Sequence, residues 1–343
     1  MLLFLYATAC VVSADSPDAD FDVRSIVARY AIDPDAGAPP DLAVIRAAME
    51  ENRAYWRQIS MRGTATRYLP PQAFDNVGGG SGPLEPRTVV RFTYCGRGDD
   101  FVRVDGTVLD EDGKPRAKDT GIIRDGIGYS LQSLGDDPLQ LKAIVRDRET
   151  ALLQLRKLHF ANAPFGSNTT TLETWLNVYE NRGNKADVEQ SFGLTNDGLV
   201  VFEGVKKGSG TEESTLSRFA IDPRRNYAVV GSISRWDGPF PGIEVWTPEY
   251  AGESSLELSR IVCSNFSQDT GFGEFREIQR EVVEVEEFED RPCDPSVFDL
   301  PMLAGAVAVE GRSGGANWWL LLTGALVALA GFGILYVSRR RSS

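Results

Sequence analysis

Residues 41–67 read DLAVIRAAMEENRAYWRQISMRGTATR, and inside this stretch the hydrophobic period changes. Leu42, Ile45, Met49, Asn52, Trp56 and Ile59 follow one another at spacings of three and four. Side chains so spaced share one helix face, so the run predicts an α-helix with a mostly apolar stripe. Pro39-Pro40-Asp41 marks its start, with Asp41 as cap, and it ends near Arg57. From there the period is two. Ile59, Met61, Gly63 and Ala65 alternate with Ser60, Arg62, Thr64 and Thr66, as in a strand with one dry face. One helix therefore leads directly into a sheet.

Downstream the period of two dominates. Strand-like runs cover Arg87 to Cys95, Asp100 to Leu109 and Thr120 to Leu131, with Asp112-Gly113 and Asp125-Gly126 supplying turn chemistry between and within them. The middle differs: Asp147 to Phe160 and Thr171 to Tyr179 have helical spacing, so a helical insertion is expected at about 147–181. Extended runs return at Ala186 to Gly193, Leu199 to Lys206, Ser214 to Ile221 and Tyr227 to Ser234. Ile243 to Trp246, Ser255 to Ser264 and Glu274 to Phe288 complete them. The expected class is α+β: an N-terminal helix, a long antiparallel sheet and inserted helices.

The two ends suggest an exported chain. Residues 1–14, MLLFLYATACVVSA, are apolar and finish on small residues that suit a signal peptidase, although no Lys or Arg precedes them. Residues 15–40 read as an irregular lead-in. After a body at 41–300 comes a flexible tether at 301–317, short, small and polar from Glu310 to Asn317. Trp318 to Val337 is then a 20-residue run without a charge, the length that crosses ~30 Å of hydrocarbon. Arg339, Arg340 and Arg341 follow in the tail, 338–343, and basic residues stay on the cytoplasmic side. The expectation is a single-pass membrane protein with a transmembrane helix at 318–337. Its body would lie in the periplasm or outside the cell, and its C-terminus in the cytoplasm.

Composition narrows the function by exclusion. Acidic residues outnumber basic ones 49 to 36, for a net charge of −13. Such a surface repels nucleic acid and anionic membrane surfaces, so no nucleic-acid partner is expected. With 25% of residues charged, a multi-spanning membrane protein is excluded. No G-x-S-x-G, H-E-x-x-H or C-x-x-C occurs, and the single histidine, His159, lies in a helical run. No catalytic residue, metal site or cofactor is expected, and the body reads as a non-enzymatic binding or interaction module. A carboxylate-dependent hydrolase is the competing class, since pairs such as Asp99-Asp100, Asp136-Asp137 and Glu286-Glu287 abound. After leader cleavage three cysteines remain, Cys95, Cys263 and Cys293; a Cys263–Cys293 disulfide is favoured, leaving Cys95 over.

Several short motifs, taken in order, resemble a known family. The helix running into Gln58 to Arg67 looks like the opening of bacterial LolA/LolB-type lipoprotein-carrier domains. Arg124-Asp125-Gly126-Ile127-Gly128-Tyr129 resembles their D-G-x-x-x-W/Y hairpin, one residue shorter before the Tyr, and Phe219-Ala220-Ile221-Asp222-Pro223-Arg224-Arg225-Asn226-Tyr227 their strand, D-P, strand step. The closing strand with Phe288 and then Asp294-Pro295-Ser296-Val297-Phe298-Asp299-Leu300 is similar to the ends of such domains. The resemblance covers about Asp41 to Leu300. It implies a strongly curved sheet, an incomplete β-barrel closed by helices around an apolar cavity for an acyl chain or lipidated protein. The chain departs from the soluble carriers in its C-terminal anchor and longer insertion, and no family functional residue maps to a position here. Aromatic and aliphatic residues at alternating strand positions, Phe92, Tyr94 and Val229, are candidates to line the cavity, with Trp236 and Phe240 of an aromatic, proline-rich loop as contacts. A filled core with no ligand, as in an interaction or sensor domain, is the alternative.

Overall fold

A computed structural model describes residues 23–71, 82–98, 101–145, 188–206, 215–236, 241–268 and 275–299. Two helices, α1 (Val23–Arg29) and α2 (Leu42–Trp56), precede thirteen strands. In chain order these are β1 (Ser60–Leu69), β2 (Glu85–Gly96), β3 (Phe101–Leu109), β4 (Pro115–Arg124), β5 (Ile127–Leu134), β6 (Gln140–Val145) and β7 (Val188–Leu194). β8 (Val200–Lys206), β9 (Thr215–Asp222), β10 (Ala228–Trp236), β11 (Gly242–Tyr250), β12 (Leu258–Gln268) and β13 (Phe275–Glu289) follow. All join one sheet in the order β6-β5-β4-β3-β2-β1-β13-β12-β11-β10-β9-β8-β7. Every ladder from β2 to β6 and from β7 to β12 is antiparallel.

Local chemistry explains these elements. The Asp41 carboxylate accepts the Ala43 N–H at 2.9 Å, so Asp41 caps α2 as its position predicts. Between β4 and β5, Asp125 and Gly126 adopt φ of 52° and 76°. Two residues of positive φ make the tight hairpin whose twist matches the flanking strands, and glycine accepts that region at no steric cost. The Thr120 to Leu131 run is therefore two strands, with Arg124 facing Ile127 across the turn.

The fold class differs from expectation. The chain is mostly sheet, not α+β: among the described residues only helices of 7 and 15 residues stand against thirteen strands. The strand periodicity read in the sequence is nearly continuous, so ladders rather than helices satisfy most of the backbone. Helix α1 lies where an irregular lead-in was expected, and β6 was not anticipated. The insertion at 147–181 and His159 lie outside the described residues. The single-pass topology is also corrected. Among the described residues no helix is long and apolar enough to cross a membrane, and the expected span, 318–337, lies outside them with the leader, tether and tail. The uncharged run and the arginines after it marked that span, and the structure gives the anchored arrangement no support.

The chain divides into two compact units. Of the described residues, the first takes those within 1–52, 67–85 and 163–282, and the second those within 53–66, 86–162 and 283–343. In the first unit, Tyr30, Leu199, Val201, Ala220, Ile233, Ile243, Val245 and Phe266 form a buried cluster, with Val27 and Ile32 packed against it. Each Val, Leu, Ile or Phe among them contributes roughly 1.5–3 kcal/mol when removed from water. The segment after α1 is pinned to this unit by Asp33 N–H to Leu194 C=O (2.8 Å), and α1 by Arg218 Nη1 to Val27 C=O (2.8 Å). On α2, Asn52 Nδ2 donates to the Asn226 carbonyl at 2.8 Å, tying the helix to the turn between β9 and β10.

In the second unit, Phe92, Tyr94, Val102, Val104, Ile122 and Leu131 are buried on the sheet. The segment after β13 lies against it as a strap. Asp294 caps a 3-10 turn at Pro295–Phe298 through the Ser296 N–H. Arg97 Nη1 donates to the Cys293 carbonyl (2.9 Å) and Arg103 Nη1 to the Val297 carbonyl (2.7 Å). The Phe298 ring meets Phe101 with centroids 5.6 Å apart.

Candidate functional site

The expected cavity residues fall in different units. Phe92 and Tyr94 belong to the second unit and Val229 to the first. Phe92 is 2% exposed and Val229 fully buried, so both are packing residues. Tyr94 is buried as well, and its hydroxyl donates to the Trp56 carbonyl at 3.0 Å. Burial pushes its pKa up to about 12. Trp236 ends β10, and its indole covers Gly242, where a side chain would collide with it. Phe240 lies outside the described residues.

The disulfide expectation is corrected too. Cys293 is bonded to Cys95, with Cα atoms 5.8 Å apart, inside the range a disulfide spans. Cys263 is a free, buried thiol. It sits on β12 opposite Trp246, in the other unit from Cys293. Sequence distance misled here: β13 lies beside β1 in the sheet order, and residue 293 comes to the end of β2. Burial, then the Glu244 and Glu281 charges, push the Cys263 thiol well above its ordinary pKa, which leaves it a packing group rather than a nucleophile.

The second unit carries an open groove of about 350 Å³. It crosses five strands: Arg62 and Gly63 come from β1, Arg91, Phe92 and Thr93 from β2, Asp105 and Thr107 from β3, Lys118 from β4 and Glu286 from β13. The ladder register explains why these side chains meet. Arg91 is opposite Thr107 and Thr107 opposite Lys118, so the three form one row across β2, β3 and β4. Thr93, Asp105 and Thr120 form the next row in the same way. Directly opposed residues share a face at strand spacings of about 4.8 Å.

Asp105 is already occupied. It accepts Arg103 Nε and Nη2 at 2.7 and 3.1 Å and the Thr120 hydroxyl at 2.6 Å, while Lys118 Nζ stands 4.0 Å away. Glu286 accepts the Thr64 hydroxyl at 2.8 Å, and Arg62 pairs with Glu287. Arg91 has no ion-pair partner among the described residues. Among the described residues no group of three or more His, Cys, Asp or Glu could hold a metal ion. Sequence reasoning missed the groove because it followed the apolar members of each alternating pair. The signal was present in the other half, Arg91-x-Thr93 and Arg103-x-Asp105-x-Thr107.

No family model matches the chain, and no curated protein matches it. Among solved structures, it is similar to a Vibrio parahaemolyticus domain described as an outer membrane lipoprotein-sorting protein domain. Identity there is 9%, covering 74% of this chain and 95% of that one, with a TM-score of 0.38. It is also similar to a DUF1329 family protein from Desulfovibrio piger ATCC 29098, at 9% identity over 75% of this chain and 96% of that one, TM-score 0.39.

Proposed function

We propose that the chain is a non-catalytic binding module that takes an amphiphile, a lipid or a lipidated protein segment, with the polar end seated in the groove of the second unit. The observation that carries this reading is the groove itself, about 350 Å³ of open volume lined by donors and acceptors on five strands. That volume lies at the small end of ligand sites, enough for a polar headgroup while acyl chains extend beyond it. An acyl chain buried against Phe92, Tyr94 or Val229 is not supported, because those side chains are already packed. The Cys95–Cys293 bond supports folding in an oxidising compartment.

The hydrolase alternative is weaker for a specific reason. Two hydroxyl–carboxylate pairs stand at the groove: Thr120 is buried and its Asp105 also holds the Arg103 fork, while Thr64 and Glu286 have no histidine beside them among the described residues. A nucleophile must be open to its substrate and its base free to take a proton. Native mass spectrometry of the gently purified full chain tests the proposal. Co-purifying lipid, or a saturable adduct with a fluorescent fatty acid at micromolar concentration, is expected. A clean mass with no amphiphile bound would overturn it.

A further inference from the structure

We infer that the polar end received by this groove is anionic, a phosphate-bearing lipid headgroup held between Arg91 and Lys118 over the Thr107 hydroxyl. The inference rests on the amphiphile reading and adds the chemical class of its headgroup.

The charge arrangement points this way. Arg62, Arg91 and Lys118 line the groove against two carboxylates, Asp105 and Glu286, in a chain whose net charge is −13. The local sign is the reverse of the whole. Both carboxylates already accept side-chain donors, Asp105 from Arg103 and Thr120 and Glu286 from Thr64. Two cations can reach an anion here: Arg91, exposed and without an ion-pair partner among the described residues, and Lys118, whose ammonium pairs with Asp105 only at 4.0 Å, beyond hydrogen-bond reach. They stand two strands apart in one row, about 9–10 Å between backbones, with a threonine hydroxyl between them. A phosphate fits that spacing, accepting from a guanidinium fork on one side and an ammonium on the other.

Competing headgroups fit less well. A quaternary ammonium needs exposed aromatic faces, and the one ring at the groove, Phe92, is 2% exposed. The acidic background does not veto a single anion, since charges farther than about 8–10 Å are screened at physiological salt while contact charges are not. It does oppose an extended anionic surface, so the occupant is one lipid molecule rather than a membrane face.

The test titrates the full chain calorimetrically at low salt with three monomeric probes: dihexanoyl-phosphatidylglycerol, dihexanoyl-phosphatidylcholine and inorganic phosphate. The expected result is binding of the glycerol lipid about tenfold tighter than the choline lipid, with phosphate weaker than both. Arg91→Gln combined with Lys118→Gln should bring the glycerol lipid down to the choline level, and Arg91→Lys should keep most of the preference. Equal affinity for the two lipids, unmoved by the variants, would overturn the anionic assignment and leave the amphiphile reading standing. Phosphate binding as tightly as the glycerol lipid would overturn the lipid as occupant. Binding of none of the three would sink both.

Discussion

At position 231 a side chain would collide with the Tyr30 hydroxyl and ring, which occupy the space a β-carbon would need. Glycine there lets Tyr30 enter the core of the first unit and donate to the Val230 carbonyl at 3.1 Å. Gly231→Ala should therefore expel the ring and destabilise by about 1–3 kcal/mol, as overpacking does. Paired with Tyr30→Ala, the loss should be clearly less than additive in urea melts. An additive pair would mean that the two residues do not compete for one space. Cys263 gives a second prediction at this scale. Buried and held protonated, it should resist iodoacetamide at pH 8 in the native protein and react fully in denaturant. Peptide mapping of the alkylated protein reads both states, and native labelling at Cys263 would contradict its placement.

The last residue of α2 and the turn after it meet the end of β2 at a joint built mostly from main-chain groups. The Gly96 N–H donates to the Ile59 carbonyl (2.9 Å), the Gly98 N–H to the Arg57 carbonyl (2.7 Å), and the Tyr94 hydroxyl to the Trp56 carbonyl. Because the neutral phenol is what fits there, its folded pKa of about 12 lies above the ordinary value of 10.0. Its contribution is present in full below pH 10 and is lost as pH rises from 10 toward 12. Two units correspond to roughly 2–3 kcal/mol. Burial raises the Tyr250 and Tyr30 phenols in the same direction, so alkaline unfolding should steepen above pH 10. Tyr94→Phe should cost about 0.5–1.5 kcal/mol at pH 8 and flatten the curve between pH 10 and 12, measured by urea unfolding across that range. A curve unchanged by the substitution would remove Tyr94 from the joint.

At this scale several elements were legible, although the fold class was not. The change of period at Ile59 set the helix–strand order, and Asp41, Asp125-Gly126 and Asp222-Pro223 mark real caps and turns. Helix α1 was not, because Val23–Arg29 is too short to show two turns of spacing amid Asp, Ala and Pro. The groove was hidden for a different reason. Its residues are the polar half of strands whose apolar half draws the eye, and only the register shows that Arg91, Thr107 and Lys118 share a row.

For the whole molecule, what no local pattern predicts is that β1 lies beside β13, more than 200 residues later. Pairings of such separation must repay loop closure before they stabilise anything, which makes folding slow. The Cys95–Cys293 bond spans 198 residues and removes much of that entropy from the unfolded chain. Reduction should lower stability by about 2–5 kcal/mol, seen as a fall in Tm with reductant that a Cys95→Ser, Cys293→Ser double variant no longer shows. A wild-type Tm indifferent to reductant would refute the bond's role. The strap has a mechanical side as well. Tension applied to the residues beyond Asp299 meets the Arg103 and Arg97 contacts and then Cys293, where a covalent link passes the load sideways into β2. Strand β13, on the far side of that link, is spared the peeling force that would otherwise open its hydrogen bonds one after another from the end.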